Sequence, residues 1–136
     1  SNAINYRKQQ NGELPVITHP PIVPDIVTTP LRELSGGDTV FEKEMLTLML
    51  QTLPADYAAI EKAFRIFDLP AIRSIAHRMK SGVAMAGAKN YAMLLDELEK
   101  HAGNNNGAEA LTTFEQTKTE QENFVAAIRE QLAVLL

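Results

Sequence analysis

The sequence predicts an all-α protein: an antiparallel four-helix bundle with a short extra N-terminal helix, preceded by a proline-rich extended leader. Three observations carry this. From residue 31 onward large apolar residues recur every three or four positions, the period of a helix. No Val/Ile/Thr run with period-two alternation occurs outside the leader, so strands are not expected. Short clusters of Gly, Pro, Asn and Asp punctuate the periodic segments, and brief connections between helices of roughly 14 to 28 residues favour antiparallel neighbours.

The leader comes first. Ser1-Asn2-Ala3 reads as a remnant of tag cleavage. Of the seven prolines, Pro15, Pro20, Pro21, Pro24 and Pro30 all fall within residues 1–30. The stretch from Leu14 to Pro24 lacks both helical and strand periodicity, and proline removes backbone donors and favours an extended chain, so it reads as a linker. A linker implies a further domain N-terminal to it. His19 is expected to be an ordinary loop residue. The division is therefore 1–30 for tag remnant and linker, and 31–136 for the bundle.

Thr29-Pro30-Leu31 has the form of an N-cap with proline at the first helical position, and Ser35-Gly36-Gly37 stops that short helix. Thr39-Val40-Phe41-Glu42 has the form of a capping box and opens a helix with Phe41, Met45, Leu48 and Met49 on one face. Pro54 is expected to break or restart it, with Tyr57, Ile60, Phe64 and Phe67 continuing the apolar stripe. Asp68 and Pro70 cap the next helix, which Gly87 ends. Tyr91, Leu94, Leu95 and Leu98 line the one after it, and Gly103-Asn104-Asn105-Asn106-Gly107 breaks the chain again. The last helix, from about Ala108 to Leu135, directs Leu111, Phe114, Val125, Ile128, Leu132 and Leu135 toward the core.

Composition narrows the function. The 136 residues and 15.0 kDa suffice for one core. There is no cysteine, hence no disulfide framework, thiolate metal site or cysteine nucleophile, which fits a reducing, cytoplasmic compartment. No apolar run approaches the ~18–20 residues of a membrane span. A net charge of −4 and a pI near 5.4 argue against nucleic acid as a partner. No Gly-rich phosphate loop, Glu-x-x-His pair or Ser-His-Asp arrangement is evident, so neither a nucleotide cofactor nor a metal is expected in this domain. His101 follows Glu97 at i+4 near a helix end, where it suits the helix dipole better than a metal.

The chain is locally basic where it is globally acidic. Arg65, Arg73, Arg78, Lys80 and Lys89 face a single acid, Asp68, between residues 65 and 89. A solvated helix face is the plain reading of such a run. Here it surrounds His77. On a helical wheel Ile72, Ile75, Met79 and Val83 fall opposite His77, whereas Arg73, Ser74, Lys80, Ser81 and Ala84 share its side. The imidazole is thus expected on the solvent face, ringed by short or basic side chains, open to a bulky acidic or phosphorylated partner.

His77-x-x-Lys80, Gly87 ten residues after the histidine, and Leu98-Glu99 closing the next helix resemble the histidine-containing phosphotransfer (HPt) domain, loosely over residues 31–136 and tightly over 68–99. Ala76 and the Asp68-Leu69-Pro70 opening are similar too. The family usually reads His-x-x-Lys-Gly and then a small residue; here Ser81 and Gly82 stand in swapped order. The resemblance implies that His77 accepts a phosphoryl group from a receiver-domain aspartate and passes it to a response-regulator aspartate. It implies that Glu99 holds the proton of the other ring nitrogen, that Lys80 offers charge to the phosphoryl oxygens, and that Arg73, Ser74, Ser81, Gly82 and Ala84 form the docking patch. The receiver would bring Mg²⁺ and a second carboxylate, so the isolated domain is expected to be a monomeric phosphocarrier without catalysis of its own, joined to a sensor histidine kinase. The alternative is a non-catalytic helical interaction domain with a basic docking face.

Overall fold

Capping residues and left-handed turn residues decide where each helix starts and stops. The computed structural model describes residues 30–135 as five helices: α1 Pro30–Ser35, α2 Thr39–Arg65, α3 Leu69–Met85, α4 Lys89–Gly103 and α5 Gly107–Leu135. The tag remnant, the linker, His19 and the Thr29 cap lie outside the described residues. Helices α2 to α5 form a ring in which each packs on the next and α5 closes against α2, while α1 lies across α2 and α3.

The three connections within the bundle share one design. Residues 66–68, 86–88 and 104–106 each place a left-handed residue at the centre: Phe67 (φ 47°), Gly87 (φ 90°) and Asn105 (φ 62°). The third residue of each turn donates its N–H to the carbonyl five positions back, from Asp68 to Ala63 (2.9 Å), Ala88 to Val83 (3.2 Å) and Asn106 to His101 (2.8 Å). These bonds satisfy carbonyls that a helix end leaves free. Asp68 then caps α3 by accepting from the Ala71 N–H at 3.1 Å.

Several sequence expectations need correction at the level of individual residues. The N-cap of α2 is Asp38, which accepts from the Phe41 N–H at 3.1 Å, and Thr39 is already helical. Glu42 does not close a capping box. It is buried, with Oε2 accepting from Ser35 Oγ at 2.7 Å and Oε1 3.5 Å from Arg32. The buried stripe of α2 is accordingly Glu42, Leu46, Met49 and Leu53, and Leu48 is exposed. Helix α2 runs through Pro54 without a break. A proline inside a helix costs about 3 kcal/mol, but Leu53, Ile60 and Phe64 continue one buried face across it, and that burial outweighs the lost bond. Phe67 does not extend the stripe: the Asp68 cap forces α2 to end before it. It sits half-exposed in the turn, its ring edge-on to Phe64.

In α3 and α4 the buried residues are Ile72, Ala76, Met79 and Val83, and Tyr91, Leu95, Leu98 and Ala102. Helix α5 differs more. Leu111, Val125, Leu132 and Leu135 are only partly buried, and the innermost positions are Ala110, Thr113, Phe114, Thr117, Gln121, Phe124 and Ile128. Polar residues are tolerated there because they are paired: Tyr91 donates to the Gln121 amide oxygen and Thr117 Oγ to the Phe114 carbonyl. Burial pushes the Tyr91 phenol above the ordinary tyrosine range, so it remains a donor.

A Cβ at a left-handed position strains the backbone. Gly87→Ala is expected to lower stability by about 1–2 kcal/mol, read as a lower urea midpoint with an unchanged slope. An unaltered midpoint would show that the α3–α4 turn tolerates another conformation.

Candidate functional site

The buried line of α3 faces the core, and His77 projects from the opposite side with its side chain 68% exposed. Helix α4 lies alongside, and its Leu95, Leu98 and Ala102 are fixed in the core. That packing brings Glu99, 17% exposed, to the edge of the α3–α4 seam. Its Oε2 is 2.8 Å from His77 Nδ1.

A carboxylate accepts and cannot donate, so Nδ1 carries the proton. Nε2 has no partner among the described residues, and in that tautomer the lone pair is on Nε2. The tether sets both the tautomer and the orientation of the imidazole.

Glu99 is itself held. Its buried Oε1 lies 2.7 Å from the Lys80 ammonium, a close ionic contact off the best hydrogen-bond angle. Lys80 donates at 2.7 Å to Asp96 Oδ1, and Asp96 Oδ2 receives Lys100 at 2.9 Å. Charges therefore alternate along the seam from Glu99 through Lys80 and Asp96 to Lys100. Lys80, opposed by burial and aided by His77, holds the Glu99 carboxyl below its usual range. Lys80 and Lys100 draw the Asp96 carboxyl down to about 2, and Asp96 with Glu99 raises the Lys80 ammonium. All three groups stay ionised across the neutral range.

The protein-family comparison decides what this arrangement belongs to. Residues 44–135 match the Hpt domain model. The chain belongs to the Hpt domain family. Curated proteins and solved structures yielded no match. An Hpt domain is a phosphocarrier module of two-component phosphorelays, and such domains interact with receiver domains. Among the described residues of this Hpt domain, no helix is long and apolar enough to cross a membrane, and no cluster of three or more His, Asp or Glu could hold a metal.

Around His77 the Hpt domain presents short and basic side chains. Arg73, Ser74, Ser81 and Ala84 are exposed on the same side of α3. Gly82 stands apart: it is half-buried, and a Cβ there would point at Leu53 of α2, 3.9 Å away. A groove of about 630 Å³ runs between α3 and α4 from His77 and Glu99 past Arg73 and Ser74 to Leu69 and Asn105. Arg73 folds over Gly103, so its cation meets the negative end of α4. Arg78 reaches Asp56 of α2 at 2.8 Å.

Sequence reasoning missed Asp96, Lys100 and Asp56. Two of them leave a readable signal, since Asp96, Glu99 and Lys100 stand at i, i+3 and i+4 on one face of α4. The third comes from a distant helix and leaves none.

The lowered Asp96 carboxyl has a consequence for stability. A depressed folded-state value stabilises the fold above the unfolded carboxylate range and is lost as pH falls through the folded value. The urea midpoint of the wild type is expected to exceed that of Asp96→Asn by a constant margin above about pH 5, and the margin should close as pH drops toward 2. A margin independent of pH would show that Asp96 acts by packing.

Proposed function

We propose that this domain is a phosphorelay intermediate that accepts a phosphoryl group on His77 Nε2 from a receiver-domain aspartate and passes it to a response-regulator aspartate. The observation that carries the reading is the divided imidazole: Nδ1 is held by Glu99 at 2.8 Å while the ring stands open to solvent, inside a chain segment that matches the Hpt domain.

In the transfer, the Nε2 lone pair forms the N–P bond as the P–O bond to the receiver's aspartate breaks and the carboxylate leaves with that electron pair. The Nδ1 proton stays in place. The ring acquires positive charge, which the Glu99 carboxylate stabilises. The receiver supplies Mg²⁺ and the remaining carboxylates of the in-line site. Lys80 adds positive charge at the edge of the phosphoryl group. Arg73, Ser74, Ser81 and Ala84 form the docking patch, with Gly82 acting indirectly through α3–α2 packing. The reading fits a cytoplasmic module of a sensor kinase.

The alternative, a basic surface for an acidic protein, is weakened by where the charges go. Arg78 is matched by Asp56, Lys80 by Asp96 and Glu99, and Arg73 lies over Gly103. Much of the basic segment is neutralised within the domain.

His77→Gln is expected to abolish phosphate uptake from a phosphorylated receiver while leaving stability within ~0.5 kcal/mol, because the side chain is exposed. Acid-labile phosphate retained by the variant would overturn the assignment. Ala84 lies two turns from His77 on the same exposed face. Ala84→Trp should block exchange with the receiver yet leave labelling of His77 by phosphoramidate intact, since the small donor needs no docking surface. Normal exchange with the receiver would place the interface elsewhere.

A further inference from the structure

We propose that Asp96 is a positioning residue that sets how tightly the domain holds a phosphoryl group, because Asp96 and Glu99 seat the Lys80 ammonium between them. This rests on the reading of His77 as the phospho-accepting residue. The Lys80 ammonium is 2.7 Å from Asp96 Oδ1 and 2.7 Å from Glu99 Oε1, and its side chain is 30% exposed. It is thus no free cation waiting beside His77. Its charge is shared between one carboxylate that tethers the imidazole and another that touches neither His77 nor the groove.

Phosphorylation changes the competition for that charge. The new phosphoryl oxygens at Nε2 are anionic, and the ring nitrogen that keeps its proton becomes part of a cation that draws on Glu99. Lys80 then has three anionic claimants. Whatever share Asp96 retains is withheld from the phosphoryl group, so Asp96 disfavours phosphohistidine. Lys100, 2.9 Å from the other Asp96 oxygen, opposes this by weakening Asp96's hold. The neighbouring cations of α3 are engaged elsewhere: Arg73 lies against Gly103 and Arg78 binds Asp56. Lys80 is therefore the route by which a carboxylate on α4 acts on His77. A carrier benefits from such a counterweight, since a phosphoryl group held too tightly is not passed on.

The test uses the full chain equilibrated with potassium phosphoramidate over a series of ammonia concentrations. Nε2 forms the N–P bond as the phosphoramidate N–P bond breaks and ammonia leaves with the electron pair, and 31P NMR reads the ratio of phosphorylated to free domain. Asp96→Asn is expected to shift this equilibrium toward phosphohistidine by roughly two- to fivefold, the effect of one partly screened surface charge. Asp96→Glu should restore the wild-type ratio. Lys100→Met should shift it the other way, by leaving Asp96 a stronger hold on Lys80. In a Lys80→Ala background, Asp96→Asn should have no further effect, because the route is gone. Thermal melts establish that each variant is folded. An unmoved equilibrium in Asp96→Asn would overturn the proposal, and so would an equal shift with and without Lys80. If the wild type takes no phosphate, the phosphotransfer reading falls and this inference with it; a wild type that labels normally beside an unmoved Asp96→Asn removes only the role of Asp96.

Discussion

One carboxylate serves two helices, and the site depends on its placement. Glu99 must offer Oε2 outward to His77 and Oε1 inward to Lys80, which requires α3 and α4 to be locked in register. The turn between them achieves this. In an antiparallel pair, residues at matched distances from the turn come side by side, each step advancing 1.5 Å. His77 and Glu99 stand ten and twelve residues from Gly87, and Lys80 and Asp96 stand seven and nine, so these two pairs share one offset. A slip of one residue on either helix would turn its side chains by about 100° and break both pairs together.

That register is held from behind. Helix α4 lies between α3 and α5, and its Tyr91 is fully buried against Phe124, with ring centroids 5.6 Å apart, while its hydroxyl is bound to Gln121. On the far side, Phe114 of α5 stacks on Phe64 at 5.2 Å and packs with Tyr57 at 4.8 Å, joining α5 to α2. The exposed histidine therefore rests on a ring of four helices whose aromatic contacts lie opposite it. Removing a buried polar partner such as Gln121 would leave the Tyr91 hydroxyl unsatisfied in the interior, a cost of about 1–3 kcal/mol, and would loosen the helix that carries Glu99.

The helix count, the helix breaks and the outward face of α3 were legible in the sequence because they follow from local rules: apolar period, the Asp68 cap, and the Gly or Asn residues that follow α1, α3 and α4. The face of α2 was misread because Glu42 occupies a core position, and a charged residue there inverts the apolar pattern. Only the short α1, bringing Ser35 and Arg32 to its carboxylate, makes that burial tolerable. The α5 stripe was misread for the same reason, since Thr113, Thr117 and Gln121 take inner positions that pattern reading assigns to leucines. Pro54 shows the converse, tertiary packing overriding local preference, whereas Phe67 was lost to the stripe because the Asp68 cap ends α2 before it. At the site, the nearness of His77, Lys80 and Glu99 came from a family spacing. The pairing of Lys80 with Asp96 came from the register of two helices, which no single segment encodes.

On the proposed reading, the same charge arrangement would leave a phosphorylated His77 slow to discharge to water. Hydrolysis of a phosphorylated imidazole is assisted by a base that can activate water near phosphorus. The two carboxylates of this cluster are already occupied: Glu99 by the imidazole and Lys80, Asp96 by Lys80 and Lys100. Both are held well ionised by those cations, which makes them poor proton acceptors. Water at the exposed Nε2 would find no free base in this cluster. On the proposed reading, a receiver brings its own carboxylates and metal, so transfer is fast only when the partner is docked. On that reading the domain supplies the nucleophile, its tautomer and the charges beside it, and leaves the remaining chemistry to the surface that covers His77.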